Sequence, residues 1–306
     1  MMQWWKNISA LILGSVLFAA CGEDPSVPKI TDSLTSGTLN VSVDETYKPI
    51  MDEEIKVFVN TYPGAKINVT YKPQAEAIKD YLEGKVKLAI VSRALTTEEN
   101  DYCLKNKNVP SSLALARDGI AIVLNKNAKD TQFSTLQLKG IIGGQFAQKY
   151  TVVFDNQGSS TLSFIKDSLM RNEALGKNLY AAKGNPEVIE YVMKNAEAMG
   201  FVGMSYISDT MDSTAERFST KIKIAAILND STQEYYQPYQ LYVAQKLYPL
   251  IRKMTYIKNE TYPGLATGFS NFLASDVGQL IMGKARLVPL RMSLVVREAA
   301  INNSAQ

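Results

Sequence analysis

The most constraining feature of the sequence is an alternation of short apolar strands with amphipathic helices. Residues 38–43 (TLNVSV) alternate as a strand does, and residues 49–62 place Ile50, Ile55 and Phe58 on one helical face. The alternation predicts further strands at 65–71, 87–91, 151–154, 201–204 and 253–257, and further helices at 74–83, 134–142, 160–169, 186–195, 269–282 and shortly after residue 290. Such a pattern is typical of an α/β protein.

One long apolar stretch indicates how the chain is divided. Residues 113–125 (LALARDGIAIVLN) are interrupted only by Arg117-Asp118-Gly119, and we expect this stretch to run from one lobe into another. A chain of 306 residues with 46% hydrophobic residues is long enough for two cores. We therefore predict two α/β lobes with a ligand cleft between them, and we expect Arg117 and Asp118 to form a structural pair at the hinge.

Composition excludes several classes of function. The chain has no histidine, which excludes Ser-His-Asp and Cys-His catalysis and zinc sites that contain histidine. Its net charge of +3 is not concentrated in any block of Lys and Arg, so nothing predicts binding to nucleic acid. We expect a binding protein and not an enzyme, with no cofactor and no metal, since acid/base chemistry would have to come from Asp, Lys and Tyr alone.

The first residues are typical of an export signal. Lys6 precedes the apolar run 8–20, which is too short to span a membrane, and Leu17-Phe18-Ala19-Ala20-Cys21 resembles a bacterial lipoprotein signal. We predict a signal peptide at 1–20, lipidation at Cys21 and a polar tether at 21–37; the alternative is a plain secretory signal. The protein would then lie in the bacterial cell envelope, periplasmic or surface-facing, and contact the membrane through its lipid alone. Cys103 would remain as an inert thiol.

Four blocks carry a resemblance to a known family. In this order and spacing they resemble the phosphate-binding family of ABC-transporter substrate-binding proteins, from residue 38 to residue 290. The resemblance implies a periplasmic-binding-protein type II fold and a monomer that delivers a small anion, phosphate first, to an ABC permease. The blocks are LALARDGIAIVLNKN (113–127) with LQLKGII (136–142), GFVGMSY (200–206), YPLIR (248–252), and GQLI with VPL (278–290); the implied lobe 1 comprises 38–117 and 245–300, and lobe 2 comprises 118–244.

The resemblance also implies a set of ligand-binding residues on three loops. The first loop contributes Thr46, and the second contributes Ser92 and Arg93 from its Val-Ser-Arg sequence. The third loop has Gly-Ser-Ser-Thr at the start of a predicted helix, where hydroxyls, backbone N–H groups and the helix dipole favour an anion. By resemblance, the ligand-binding residues are Thr46, Ser92, Arg93, Ser159, Ser160 and Thr161.

Three acidic residues depart from the family pattern. Asp44 and Glu45 stand where the family has hydroxyl residues, and Asp155 stands where it has an arginine. Two like charges about 4 Å apart repel by about 4 kcal/mol at an effective dielectric constant near 20, so these carboxylates oppose an anion if they face the cleft. Arg93 and Arg117 would compensate if both reach it.

Two functions therefore remain open for the same fold. The first is a phosphate-type solute carrier, and the second is a binding, adaptor or sensor lipoprotein with a different ligand or none. Three carboxylates in the cleft with no arginine opposite would favour the second. The tyrosines at 235, 236, 239, 242 and 248 suggest a sugar site at first, but we expect them to pack in the core and the hinge.

Overall fold

A computed structural model of the chain describes residues 31–146, 149–171, 173–207 and 221–292. From Asp32 onward the chain forms one compact unit. The predicted signal peptide, Cys21, most of the predicted tether and the predicted helix after residue 290 lie outside the described residues.

Strands and helices alternate as the sequence predicts. The strands are β1 Gly37–Asp44, β2 Ala65–Lys72, β3 Leu88–Val91, β4 Ser111–Asn125, β5 Gln132–Phe133, β6 Thr151–Phe154, β7 Leu179–Ala181, β8 Ala198–Gly203, β9 Ile222–Ile224, β10 Ala226–Asn229, β11 Glu234–Tyr236, β12 Ile251–Lys258 and β13 Val288–Pro289. The helices are α1 Lys48–Thr61, α2 Gln74–Leu82, α3 Thr97–Lys105, α4 Thr135–Ile142, α5 Ser160–Phe164, α6 Asn185–Lys194, α7 Gln240–Ala244, α8 Leu265–Ala274 and α9 Asp276–Lys284.

The main sheet has the strand order β2-β1-β3-β12-β4-β8-β6-β7, and β13 and β9 also pair with β4. Strand β4 changes partner halfway: up to Gly119 it pairs antiparallel with β12, and from Ile120 it pairs antiparallel with β8. We name the part of the sheet on the β12 side lobe 1 and the part on the β8 side lobe 2. The chain crosses between them on β4 and returns just before Ile251, where the Ile120 N–H donates to the Leu250 carbonyl at 2.9 Å.

Each lobe has its own core. In lobe 1, Phe58 of α1 packs edge-on against Phe269 and Phe272 of α8, with ring centroids about 5 Å apart. In lobe 2, Phe154 of β6 stacks on Phe201 of β8 with centroids 4.8 Å apart.

Local sequence explains where several helices begin. Pro49 lies in the first turn of α1, where its missing N–H costs no hydrogen bond. Helix α3 begins at a capping box in which Thr96 and Glu99 satisfy each other's backbone N–H groups, and Ser134 and Gln137 do the same for α4.

Two predicted helices differ in the structure. The helix predicted at 269–282 is two helices, because Ser275 is extended and its hydroxyl donates to the Phe272 carbonyl at 2.7 Å, which ends α8 before α9 begins. The helix predicted at 160–169 is α-helical only to Phe164 and continues as a π-helix, Ile165–Met170. The wider turn keeps Ile165, Leu169 and Met170 buried together.

The end of the predicted tether packs on lobe 1. Asp32 accepts hydrogen bonds from the Tyr262 hydroxyl at 2.6 Å and from the Leu265 N–H at 3.1 Å, so it caps the start of α8. The last residues of the segment 21–37 therefore belong to the folded unit. The predicted burial of the tyrosines is correct for Tyr236 and Tyr248, but Tyr235 and Tyr239 are exposed.

Candidate functional site

A buried polar cluster lies between the lobes, where the loops after β1 and β6 meet the crossing strands. Lobe 1 contributes Asp44 from the end of β1 and Thr46 from the short 3-10 helix that follows. Lobe 2 contributes Asp155 from the loop after β6 and the hydroxyls at the start of α5. We call this set the cleft cluster; it comprises Asp44, Glu45, Thr46, Asp118, Asp155, Ser159, Ser160, Thr161 and Arg252.

An ion pair on the two crossing strands forms the centre of the cleft cluster. Arg252 of β12 donates from Nε to Asp118 Oδ2 of β4 at 2.9 Å, and its Nη2 lies 2.9 Å from the same oxygen. Both residues are almost fully buried, at 3% and 1% exposure. Tyr47 covers the guanidinium, which lies 5.6 Å from the ring centroid. A buried arginine of this kind keeps its charge, because its negative neighbours hold its pKa above the ordinary value in spite of burial.

The guanidinium also reaches into lobe 2. Arg252 Nη1 donates to the hydroxyl oxygens of Ser160 at 2.8 Å and Thr161 at 3.1 Å. The Thr46 and Ser160 hydroxyls share a hydrogen bond of 3.3 Å across the cleft. Ser159 instead caps α5, since its hydroxyl accepts from the Leu162 N–H at 3.0 Å. Hydroxyls from both lobes and one cation thus converge on one point.

Further hydrogen bonds join the lobes around this point. The Ser205 hydroxyl donates to the Thr46 carbonyl at 3.0 Å, and the Tyr206 hydroxyl donates to the Glu45 carbonyl at 2.7 Å. The Asn156 amide donates to the Glu45 carboxyl. Gly203 leaves the room for this approach, because a Cβ there would lie 2.6 Å from Thr46 Cγ2. The structure therefore describes a closed cleft.

Burial raises the pKa values of the cleft carboxyls. Burial raises the pKa of Asp155 to about 6. Burial, with the charges of Asp155 and Asp44, raises the pKa of Glu45 to about 7. Burial also raises the pKa of Asp44 and of Asp118, although Arg252 opposes the shift in both. The carboxyls of this site are therefore harder to ionise than carboxyls in water.

Among the described residues, two buried carboxylate oxygens of the cleft cluster, Asp44 Oδ2 and Asp118 Oδ1, accept no hydrogen bond of good geometry. Poorly satisfied buried polar atoms are costly, so a group that donates a hydrogen bond would be stabilised here. A protonated oxyanion carries such a donor.

Two of the residues predicted for the ligand site make hydrogen bonds with residues outside the cleft cluster. Arg93 makes a two-pronged ion pair with Glu99, at 2.7 and 2.8 Å. Ser92 donates from its hydroxyl to Gln74 at 2.6 Å and lies beside Tyr47. The structure brings Thr46, Ser160 and Thr161 together with the cap residue Ser159, and their role in ligand binding stays a prediction.

The expected pair of Arg117 with Asp118 is wrong. Neighbouring residues of a strand point to opposite faces, so Asp118 turns to Arg252 while Arg117 Nη1 donates to the Ala244 carbonyl at 3.3 Å. Arg252 is the residue that sequence reasoning missed. The available signal was a charged residue inside the apolar strand that returns to lobe 1.

No cluster of three or more acidic or sulfur ligands that suits a metal ion occurs in the described part of the chain. Its helices include none that is long and apolar enough to span a membrane.

Known proteins resemble the chain along most of its length. A family model described as the PBP superfamily domain matches residues 30–277. Phosphate-binding protein PstS of Staphylococcus haemolyticus is 23% identical over 269 residues, 80% of this chain and 84% of the relative. PstS of Staphylococcus epidermidis is 22% identical over 295 residues, 91% of this chain and 87% of the relative.

Solved structures agree with the fold. A putative phosphate ABC transporter substrate-binding protein from Clostridium perfringens, solved with bound phosphate, has a TM-score of 0.70 at 22% identity, over 83% of this chain and all of the other. An ABC-type phosphate transport receptor from Vibrio cholerae has a TM-score of 0.63 at 21% identity, over 82% of this chain and 99% of the other. By its fold and by the match to the family model, the chain belongs to the PBP superfamily, as a PstS-like member.

Proposed function

We propose that the protein is an extracytoplasmic solute-binding protein that captures an oxyanion, phosphate first, between its lobes and delivers it to an ABC importer. One observation carries the proposal: the buried guanidinium of Arg252 meets the hydroxyls of Ser160 and Thr161 at the contact between lobes. Relatives along most of the chain are named phosphate-binding proteins. The protein acts by binding and not by catalysis.

Closure of the lobes would hold an anion without any covalent step. A ligand in the open cleft first contacts one lobe, and the contacts that it gains with the second lobe bias the hinge toward the closed form. Thr46 of lobe 1 and the two hydroxyls of α5 would provide those contacts. Arg252 would provide the charge that the family's third-loop arginine provides elsewhere.

The acidic residues support a second candidate. Asp44 and Asp155 are fully buried, and Glu45 is half-buried, so all three departures from the family pattern lie in the cleft. Three carboxylates with no arginine opposite would have argued against an anion, but Arg252 lies opposite these three. If the native protein ignores oxyanions, the same fold serves as an adaptor or sensor lipoprotein with another ligand or none.

Isothermal titration of the purified full-length protein with inorganic phosphate tests the first candidate. Thr161→Val removes a cleft hydroxyl at constant shape, and we expect it to weaken phosphate binding at least tenfold. Thr135→Val is the matched control, because the Thr135 hydroxyl donates to Asp230 away from the cleft. No heat and no thermal shift with phosphate in the native protein would leave the second candidate.

The predicted anchor at Cys21 is part of the proposal. Lipidation at this residue would hold the carrier at the membrane that contains its importer. Mass spectrometry of the mature N-terminus is expected to show a diacylglycerol-modified cysteine, and Cys21→Ser is expected to release the protein from the membrane fraction. An unmodified cysteine on a freely soluble native protein would contradict the anchor and leave the binding proposal intact.

A further inference from the structure

We propose that closure of the cleft takes up protons, with Glu45 of lobe 1 and Asp155 of lobe 2 as the groups that receive them. The inference rests on the proposed function and names a regulation of the same site. Closing the lobes brings acidic groups of like charge together in a buried place, and protonation removes the repulsion.

The geometry of the cleft cluster sets up this repulsion. Asp44 ends β1 and Glu45 begins the 3-10 helix that follows it in lobe 1, and Asp155 follows β6 in lobe 2. Asp44 and Asp155 are both at 0% exposure, so water does not screen them. Arg252 is the cation beside them, and its Nε is already hydrogen-bonded to Asp118. The cleft cluster therefore contains four carboxyl groups and one guanidinium.

Hydrogen bonds do not offset the excess of negative charge. The Asp44 carboxyl accepts from the Thr46 N–H at 3.1 Å through Oδ1, and the hydroxyls of Thr46 and Ser160 lie beside it. Asp155 accepts from its neighbour Asn156 at 3.2 Å and from the Asn185 amide at 3.2 Å. Glu45 accepts from the Asn156 amide. The partners are neutral amides and hydroxyls, which leave the charges unbalanced.

Titratable groups from both lobes surround these carboxyls. Glu45 is influenced by Asp155, Asp44 and Glu76 of α2, all of the same sign. Asp155 is influenced by a hydrogen bond with Ser159, by Asp44 in the opposite sense, and by Arg252. Among the described residues, Tyr47, Asp118 and Tyr206 are further titratable groups near the cluster.

The direction of the pH dependence follows from the raised pKa values. Burial in the closed form raises the pKa of Glu45 from 4.5 to about 7 and that of Asp155 from 3.8 to about 6. If opening returns each group to water, closure is favoured at low pH. The ratio of closed to open protein falls by up to about tenfold per pH unit for each group, as the pH rises from the group's ordinary pKa to its closed-form pKa. The loss is complete above about pH 7, the closed-form pKa of Glu45.

Linkage gives the consequence for the ligand. An oxyanion that closes the cleft would raise the proton affinity of both carboxyls, and protons would raise the affinity for the oxyanion by the same factor. Anion and protons would enter together and leave together.

Distance measurements between the lobes test the closure itself. Spin labels at Lys56→Cys in α1 and Lys194→Cys in α6 occupy sites with 66% and 73% side-chain exposure, and the native Cys103 is buried. In the full-length protein without ligand, we expect the closed population relative to the open one to be at least tenfold greater at pH 5.5 than at pH 8. Equal distributions at the two pH values would overturn the inference.

Variants assign the effect to the two carboxyls. Glu45→Gln and Asp155→Asn, alone and together, keep shape and remove charge, and we expect the double variant to lose most of the pH dependence. Glu54→Gln is the matched control, because Glu54 is a fully buried carboxyl of α1 that belongs to no part of the cleft cluster. A pH dependence that survives in the double variant overturns the assignment.

Calorimetry separates this inference from the proposed function. Titration with inorganic phosphate in two buffers of different ionisation enthalpy counts the protons taken up, and the double variant corrects for the titration of phosphate itself. Phosphate binding with equal proton uptake in native and double variant overturns the inference and keeps the function. Absent phosphate heat with a pH-dependent distance keeps the inference and overturns the function.

Discussion

Two arginines of lobe 1 show how differently a charged side chain can be used. Arg93 follows β3, matches the family motif, and pairs with Glu99 while keeping 37% side-chain exposure. Arg252 lies in β12, matches no binding motif, and is buried against Asp118 and the α5 hydroxyls. A capping carboxylate, Glu99, can thus hold a motif residue such as Arg93 in an ion pair of its own. A strand that returns between the lobes can instead place a cation, Arg252, in the cleft.

Arg252→Gln is expected to have the largest effect. Removing one member of a buried ion pair leaves Asp118 uncompensated, which costs about 3–5 kcal/mol of unfolding free energy. Urea unfolding near pH 7 measures this loss, and calorimetry is expected to find no phosphate binding. The double variant Arg252→Gln/Asp118→Asn is expected to recover part of the stability but not the binding. A stable single variant that binds normally would remove Arg252 from the site.

Glu54→Gln changes a buried carboxyl that, unlike Asp118, makes no ion pair with a described residue. Among the described residues neither Glu54 oxygen has a hydrogen-bond partner, and burial raises the pKa of this group to about 9. The folded state therefore holds a proton that the unfolded state releases above pH 4.5, and stability falls by about 1.4 kcal/mol per pH unit up to about pH 9. The variant is expected to flatten this slope in unfolding measurements from pH 5 to pH 8. An unchanged slope would contradict the prediction.

Ser92→Ala is expected to have a smaller effect. The Ser92 hydroxyl donates to Gln74 at 2.6 Å, and losing one hydrogen bond costs about 1 kcal/mol. The Ser92 N–H still donates to the same oxygen at 2.8 Å, so Gln74 stays in place. Thermal unfolding and phosphate titration report the two effects, and a tenfold loss of affinity would place Ser92 in the ligand site after all.

Arg93→Gln is expected to have the smallest effect. Partly exposed ion pairs contribute about 0.2–1 kcal/mol, and Glu99 keeps its capping contact with the Thr96 N–H. We expect a phosphate affinity within about twofold of the native value. A large loss of phosphate affinity would place Arg93 in the ligand site and contradict the prediction.

The sequence allowed the fold to be predicted further than the site. Most of the predicted strands and helices lie within one or two residues of the observed ones, because each burial pattern is local to its segment. The shortest strands, such as β5 and β7, were not predicted, because two or three residues are too few to show a period. The break at Ser275 was missed because α8 and α9 share an apolar character on both sides of it. The π-helical turn after Phe164 depends on tertiary packing that no local period reports.

Side-chain direction explains what the sequence did not reveal about the site. Asp44 and Asp155 differ from the family pattern, yet they turn inward because a strand end fixes their backbone. Asp118 turns away from its neighbour Arg117 because residues alternate along β4. Arg252 is 134 residues away from Asp118 in the chain, so their pairing follows only from the register between β12 and β4.

The partner change in β4 at Gly119 has a mechanical consequence. The chain passes between the lobes at two adjacent strands, so the lobes can rotate about an axis near these strands but cannot separate. Asp118 and Arg252 lie on the strands and close to that axis, where a small rotation displaces them least. The contact of Glu45 with Asn156 joins two loops that lie farther from this axis, where the same rotation produces a larger displacement. On opening, we expect this outer contact to break first and the ion pair at the axis to persist.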